Sequence, residues 1–195
     1  MLQLEAFAAA MGVCDPTLEA HARRVAGYAD AIARRLCWEE RELEGIPLGA
    51  ALHDVGKLSV RADVLAKPGP LDRAERAEIE AHPVEGAWLI STVRSFAGAL
   101  PYVLFHHERW DGHGYPTRRA GRAIPIEGRV LAVADAFDAM TSPRPYRDAL
   151  SAKDAAAEVE QCAGTQFDPE VASAFLDALV TGEVGDVVVA GAASP

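Results

Sequence analysis

The sequence HHERWDGHGYP runs from His106 to Pro116. An apolar stretch that includes Val103 and Leu104 precedes it, which predicts a helix holding the histidine pair. Glycine, proline and arginine then dominate from Trp110 to Pro125, which predicts a loop. A loop of this length is unusual inside a compact helical domain, and such loops are often functional.

Helical periodicity continues on both sides of this stretch. Apolar residues recur at three- and four-residue steps, the pattern of amphipathic helices. Predicted helices include Leu18–Leu36 after Asp15-Pro16, Leu48–Val55, Asp72–Glu80, one opened by Pro83, Val103–His107, Ile126–Met140, one capped by Ser151 with Asp154, and Asp168–Leu179. Asp72 with Glu75 resembles a capping box. A second loop runs from Leu58 to Leu71, and the fold class is predicted to be all-α.

Composition limits the kinds of partner. Half of the 195 residues are hydrophobic, and 19 Lys and Arg against 29 Asp and Glu give a net charge of −10. A protein this acidic has no general attraction for nucleic acid or an anionic membrane. An anionic substrate would therefore have to be held by a metal ion or by a few well-placed cationic side chains. No apolar run approaches the roughly 20 residues that span a bilayer. The scattered cysteines Cys14, Cys37 and Cys162, with Glu5 early in the chain, favour a reducing cytoplasm without a signal peptide.

The histidines indicate a metal site. The six are His21, His53, His82, His106, His107 and His113. Five of them fall on predicted helices or at helix starts, near acids such as Asp54 and Asp135. Imidazole with carboxylate suits Fe, Mn, Zn, Ni or Co rather than calcium. Each histidine alone is more often a hydrogen-bonded core residue, so the prediction rests on their joint occurrence in one small domain.

Five stretches, in chain order, resemble the HD-GYP family of metal-dependent phosphohydrolases. They are His53-Asp54-Val55-Gly56-Lys57, Leu65–Leu71, His106–Pro116, Ala134–Arg147 and Gly164-Thr165-Gln166-Phe167-Asp168-Pro169. The resemblance implies an all-helical HD bundle with a long GYP loop around a metal centre, and hydrolysis of the bacterial messenger cyclic di-GMP. It implies an N-terminal extension over residues 1–14, the HD-GYP domain over 15–181 and a C-terminal tail over 182–195.

The resemblance also implies a set of metal ligands, with Asp54 bridging. They would be His21, His53, Asp54, His82, His106, His107 and Asp135. Members with a third metal carry a glutamate one helical turn before the first histidine, where this chain has Thr17. We therefore expect two divalent ions, Fe or Mn first and Zn, Ni or Co as alternatives. We also expect the linear dinucleotide pGpG as the end product, with further hydrolysis to GMP as the open alternative.

Substrate contacts follow from the same resemblance. They would come from Lys57, Tyr115, Asp138, Arg144, Arg147 and Asp15. Lys57 and the bridging Asp54 are the expected catalytic residues. Each contact has a structural alternative: a solvated Lys57, a surface arginine pair, Tyr115 packed under its own loop, Asp15 as a helix cap, and Asp138 orienting a metal ligand. His113 is read as a surface residue, and no residue is selected as the general acid.

Three functions remain open at this stage. The first is a cyclic di-GMP phosphodiesterase that uses a two-metal-activated hydroxide. The second is a catalytically weak or inactive module that binds cyclic di-GMP or docks a signalling partner, such as a diguanylate cyclase, through the Trp110–Pro125 loop. The third is an HD phosphohydrolase acting on another nucleotide, which the GYP loop disfavours. The intact ligand set favours the first.

Overall fold

The computed structural model describes residues 16–143 and 148–184. Within these ranges the chain is helical and has no strand, so the predicted all-α class is confirmed. The helices are α1 (Pro16–Arg35), α2 (Glu40–Leu43), α3 (Ile46–Leu52), α4 (Ala62–Leu65), α5 (Arg73–Glu80), α6 (His82–Ser91), α7 (Leu100–Phe105), α8 (Ile126–Thr141), α9 (Ala152–Gln161) and α10 (Pro169–Val180). Short 3-10 segments lie at Val55–Ser59, Arg94–Ala99 and Gly121–Ala123.

The main core joins α1, α8, α9 and α10. Its aromatic centre is formed by Tyr28, Phe137 and Phe175, all buried. Tyr28 meets Phe137 edge-on with ring centroids 5.3 Å apart, and Phe137 meets Phe175 at 4.8 Å. Burying one such side chain contributes about 1.5–3 kcal/mol. This packing holds α1 against α8, the two helices that carry His21 and Asp135.

A smaller apolar cluster joins α3, α6 and α7. It consists of Leu52, Ile90, Phe96, Ala99 and Val103. Leu52 ends α3 and Val103 lies in the last turn of α7. The cluster therefore fixes the two helix ends that lead into His53 and His106.

Three helix starts follow the predicted capping residues. Asp72 accepts hydrogen bonds from the backbone N–H groups of Ala74 and Glu75, and the reciprocal Glu75 contact completes the capping box at α5. Ser151 Oγ accepts from the N–H of Asp154 at α9. Asp168 likewise caps α10. These predictions are confirmed because capping depends on residues within one turn.

Two helices end earlier than their periodicity predicted. α3 stops at Leu52 and the chain tightens into the 3-10 segment Val55–Ser59. There Gly56 lies directly on α6: a Cβ at this position would overlap the carbonyl oxygen of His82 and lie 2.6 Å from the N of Gly86. This close approach, which only glycine permits, replaces the expected helical turn. α7 also stops at Phe105, before the predicted His107.

No helix in the described ranges combines the length and the apolar character needed to cross a bilayer.

Candidate metal centre

Three histidines are oriented by the same kind of hydrogen bond to the backbone. His53 follows α3, His82 follows α5 and opens α6, and His106 follows α7. The Nδ1 of each donates to the carbonyl oxygen three residues earlier, at 2.7 Å, 2.7 Å and 2.9 Å respectively. The last carbonyls of a helix lack partners within it, so each helix end supplies a free acceptor. The bond places the proton on Nδ1 and leaves Nε2 as a free donor atom for a metal.

Asp54 lies between two groups of these side chains. Its Oδ1 is 3.3 Å from His82 Nε2 and 3.8 Å from His106 Nε2. Its Oδ2 is 3.5 Å from His53 Nε2. The carboxylate therefore faces both groups at once.

The first group contains His21, His53 and Asp135 beside Asp54. His21 Nε2 is 3.5 Å from His53 Nε2 and 3.6 Å from Asp135 Oδ1. His53 Nε2 is 3.9 Å from the same Asp135 oxygen. Donor atoms of His21, His53 and Asp54 lie within 4.8 Å of one another.

The second group contains His82, His106 and His107 beside Asp54. Donor atoms of these four residues also lie within 4.8 Å of one another. His82 Nε2 and His106 Nε2 are 3.3 Å apart, and the His106 and His107 rings are 4.1 Å apart. Sequence reasoning named all seven side chains, and the fold brings all seven together.

The donor atoms fit a cation. Asp54 Oδ1 is buried and has no hydrogen-bond partner among the described residues. Its neighbour His82 Nε2 is also an acceptor, because the proton is held on Nδ1. Two acceptors 3.3 Å apart repel each other unless a positive group lies between them. Imidazole nitrogens with carboxylate oxygens are a donor set that divalent transition metals accept.

The electrostatics of the second group support this fit. Burial lowers the pKa of His53, but the charges of Asp54 and Asp135 outweigh burial and raise that pKa to about 9. Burial opposes ionisation of Asp54, yet the neighbouring histidines hold its pKa well below the usual range. Burial lowers the pKa of His106 and, more strongly, that of His107. The lowered pKa values of His106 and His107 favour the neutral imidazoles that metal ligands require, whereas His53 would release a proton when a metal binds.

Lys57 reaches the same carboxylate. It lies in the 3-10 segment, and its Nζ is 2.5 Å from Asp54 Oδ2. Its side chain is 41% exposed. The ammonium is therefore both paired with the central carboxylate and open to solvent, so it is not merely a solvated surface lysine.

Asp138 is buried behind His21. His21 Nδ1 donates to Asp138 Oδ2 at 2.7 Å, and Arg24 donates to both carboxylate oxygens. The Asp138 side chain is 1% exposed. This position favours the alternative in which Asp138 orients a histidine over direct contact with a substrate.

The loop from Trp110 to Pro125 folds back over His107. Gly114 is buried against the chain, and a Cβ there would lie 2.6 Å from the Cα of Glu108. The next residue, Tyr115, donates its N–H to the His107 carbonyl and stacks on the His107 ring at 4.8 Å. Tyr115 is thus packed against the histidines, and burial raises the pKa of its hydroxyl.

Two anchors of this loop were missed by sequence reasoning. Glu108 is 4% exposed, and its Oε1 accepts from the N–H and the hydroxyl of Thr117 at 2.6 and 2.7 Å. Arg109 pairs with Asp111 and donates to Gln166. The only sequence signal was an acid and a base directly after the histidine pair. The Gln166 contact gives the Gly164–Pro169 motif a structural role.

Some predicted residues lie elsewhere. Asp15, Arg144 and Arg147 lie outside the described residues, as do the N-terminal extension and most of the tail. His113 is 82% exposed, as expected for a surface residue. Thr17 lies on α1 one turn before His21 and is exposed.

Comparisons with known proteins identify the family. The HD domain model matches residues 11–171. The chain therefore belongs to the HD domain family, and within it to the HD-GYP group that its motifs indicated.

Relatives and a solved structure carry the likeness further. The chain is 39% identical to the cyclic di-GMP phosphodiesterase response regulator RpfG of Xanthomonas campestris, over 89% of this chain and 46% of the relative. It is 37% identical to the 3′3′-cGAMP-specific phosphodiesterase 2 of Vibrio cholerae, over 81% of this chain and 31% of the relative. The chain thus spans less than half of each of these relatives. The crystal structure of the V. cholerae cyclic GMP-AMP specific phosphodiesterase V-cGAP3 shares the fold, with a TM-score of 0.66 and 21% identity over 90% of this chain and 49% of that one.

Proposed function

We propose that this chain is a metal-dependent phosphodiesterase that hydrolyses cyclic di-GMP. The observation that carries the proposal is the position of Asp54, whose two oxygens face two separate groups of histidines. One carboxylate serving two sites is the arrangement of a dinuclear centre. The catalytic unit would be residues 15–181.

The two groups would each hold one divalent ion. The first would be held by His21, His53, Asp135 and Asp54, the second by His82, His106, His107 and Asp54. Fe or Mn is preferred, with Zn, Ni or Co as alternatives. Such a pair, when bound, supplies a nucleophile at neutral pH and neutralises charge that develops on the phosphate.

The remaining residues would handle the substrate. Lys57 already faces Asp54 and is open to solvent, so it can bind a non-bridging phosphate oxygen. Tyr115 lies beside His107 and is only partly buried, so it can contact a guanine. Arg144, Arg147 and Asp15 are proposed contacts on the motif resemblance alone. Asp138 would not contact the substrate but would orient the metal ligand His21.

The proposed product is the linear dinucleotide pGpG. Position 17 lies one helical turn before His21 on the same side of α1, and in this chain it is a threonine. A hydroxyl is a poorer ligand for these ions than a carboxylate. Two ions rather than three, and one hydrolytic step rather than two, are therefore expected.

Relatives favour this substrate class and define a second candidate. One similar protein is named for cyclic di-GMP and another for 3′3′-cGAMP. Both are cyclic dinucleotides with 3′,5′ phosphodiester bonds, so 3′3′-cGAMP is the second substrate to test. A module that binds cyclic di-GMP without hydrolysis remains the alternative. Docking of a diguanylate cyclase on the GYP loop and a cytoplasmic location stay predictions.

The test is a hydrolysis assay on purified, metal-stripped protein. Samples are refilled anaerobically with Fe(II) or Mn(II), and both cyclic dinucleotides are followed by chromatography. Metal-dependent release of pGpG from cyclic di-GMP supports the proposal. Preferred cleavage of 3′3′-cGAMP would assign the second substrate. Metal-loaded protein that binds the dinucleotide and leaves it intact would assign the binding module instead.

Arg144→Ala separates substrate binding from metal binding. It should weaken binding of the dinucleotide, measured as KM or by titration, while metal content stays at the wild-type value. Equal loss of both would indicate a structural arginine.

A further inference from the structure

Arg24 contacts the metal centre only through another side chain. It lies three residues after His21 on α1, and its side chain is 15% exposed. Its Nε donates to Asp138 Oδ1 at 2.5 Å and its Nη2 to Asp138 Oδ2 at 3.0 Å. The same Nη2 donates to Ser142 Oγ at 3.0 Å. This two-point pairing is the strong form of an arginine–carboxylate contact.

His21 is oriented differently from the other histidines. His53, His82 and His106 donate Nδ1–H to neutral carbonyl groups at helix ends. His21 lies inside the 20-residue helix α1, where the carbonyls are already used by the helix. It donates to the Asp138 carboxylate instead.

A carboxylate in this position needs a counter-charge. Asp138 is 1% exposed, and an ionised group that is buried without a partner is strongly destabilising. Among the described residues, Arg24 is the only lysine or arginine within 4.0 Å of it. The two-point contact with Arg24 therefore fixes the direction of the Asp138 carboxylate, and Asp138 in turn orients the His21 ring.

We propose that Arg24 is a positioning residue for the first metal group alone, an inference that rests on the dinuclear centre of the proposed function. The second group, with His82 and His106, is held by backbone carbonyls and does not touch the Arg24–Asp138 pair. Loss of Arg24 should consequently weaken one of two sites. A residue with a merely structural role would weaken both.

The test is a Mn(II) titration of the full 195-residue chain after metal removal. Calorimetry gives the number and affinity of sites, and electron paramagnetic resonance separates coupled pairs from single ions. Wild type should bind two ions with a coupled signal. Arg24→Leu should retain one ion at near wild-type affinity and bind the other about 10–100-fold more weakly, with an uncoupled signal. Arg24→Lys keeps the positive charge but cannot make the two-point contact with the carboxylate. Its affinity for the weakened site should lie between those of the wild type and Arg24→Leu.

The matched control is Arg23→Leu. Arg23 is the neighbouring arginine, 77% exposed and paired with Glu19, so its loss should leave both sites intact. Two full-affinity sites in Arg24→Leu, or equal weakening of both sites, would overturn the inference while the dinuclear centre stands. Absence of Mn(II) binding in the wild type would overturn both proposals. If Arg24→Leu does not fold, Arg24→Lys decides: unequal weakening of its two sites supports the inference, and two unchanged or equally weakened sites overturn it.

Discussion

Tyr115 stacks on His107 with ring centroids 4.8 Å apart and an angle of 27° between the ring planes. The contact joins the GYP loop to the second group of histidines. The same tyrosine meets His82 edge-on at 6.3 Å. The loop is therefore a wall of the candidate metal centre, and changes that displace it should be felt at the histidines.

Gly114→Ala should displace this wall. A Cβ at position 114 would lie 2.6 Å from both the Cα of Glu108 and the carbonyl oxygen of His107. Both are backbone atoms, which cannot rotate out of the way, so the loop has to move. We expect the free energy of unfolding to fall by about 1–3 kcal/mol. We also expect activity to fall at least about tenfold, since small misplacements of a site are costly. Chemical denaturation and the hydrolysis assay measure both effects.

Gly98→Ala is the matched control for that substitution. A Cβ at position 98 has no neighbour within 4 Å. Stability and activity should stay near wild type. If Gly114→Ala were as mild as Gly98→Ala, the close packing of the loop on residues 107–109 would be refuted.

Glu108→Ala should loosen the far side of the same loop. It removes the acceptor of both Thr117 hydrogen bonds, and the loss of the two bonds should cost about 1–3 kcal/mol. Hydrogen exchange should accelerate at Tyr115 and Thr117 more than in α1. The control Glu85→Ala removes an exposed glutamate from α6 and should change neither the free energy of unfolding nor the exchange rates at Tyr115 and Thr117. Unchanged exchange in Glu108→Ala would show that the loop is held by other contacts.

Asp54→Ala should remove both metal ions at once. Its oxygens are the only ones that face both histidine groups among the described residues. We expect less than one ion per chain by elemental analysis and no detectable hydrolysis. Asp63→Ala, which removes a 75% exposed aspartate, is the control and should keep both ions. Loss of a single ion in Asp54→Ala would mean that the carboxylate does not bridge.

Thr17→Glu tests the metal count. It places a carboxylate one helical turn before His21, on the same side of α1. We predict a third ion by elemental analysis and a larger share of GMP among the products. Ala20→Glu adds the same charge to α1 at a position about 100° around the helix axis from His21, and should keep two ions. A count of two in Thr17→Glu would contradict the proposed role of this position.

Local signals explain what the sequence predicted well. The Asp72 and Ser151 caps and the apolar faces of α1 and α8 depend on residues within a few turns of one helix. The seven candidate ligands came from motif resemblance, and the fold brings them together. Both kinds of signal are carried by short stretches of chain.

Tertiary contacts explain what the sequence did not predict. The early end of α3 depends on Gly56 meeting α6 at Gly86, thirty residues later. Arg24 looks like its exposed neighbour Arg23 in sequence, and only the pairing with Asp138, 114 residues away, distinguishes them. Glu108 is revealed by burial and by Thr117 rather than by spacing. No periodicity or capping rule contains these long-range contacts.

The most direct test of the central claim is anomalous diffraction from a crystal loaded with Mn(II). Two peaks should lie about 3.5–4 Å apart, one on each side of the Asp54 carboxylate. One should contact His21, His53 and Asp135, and the other His82, His106 and His107. A single peak, or two peaks that do not share Asp54, would contradict the dinuclear centre.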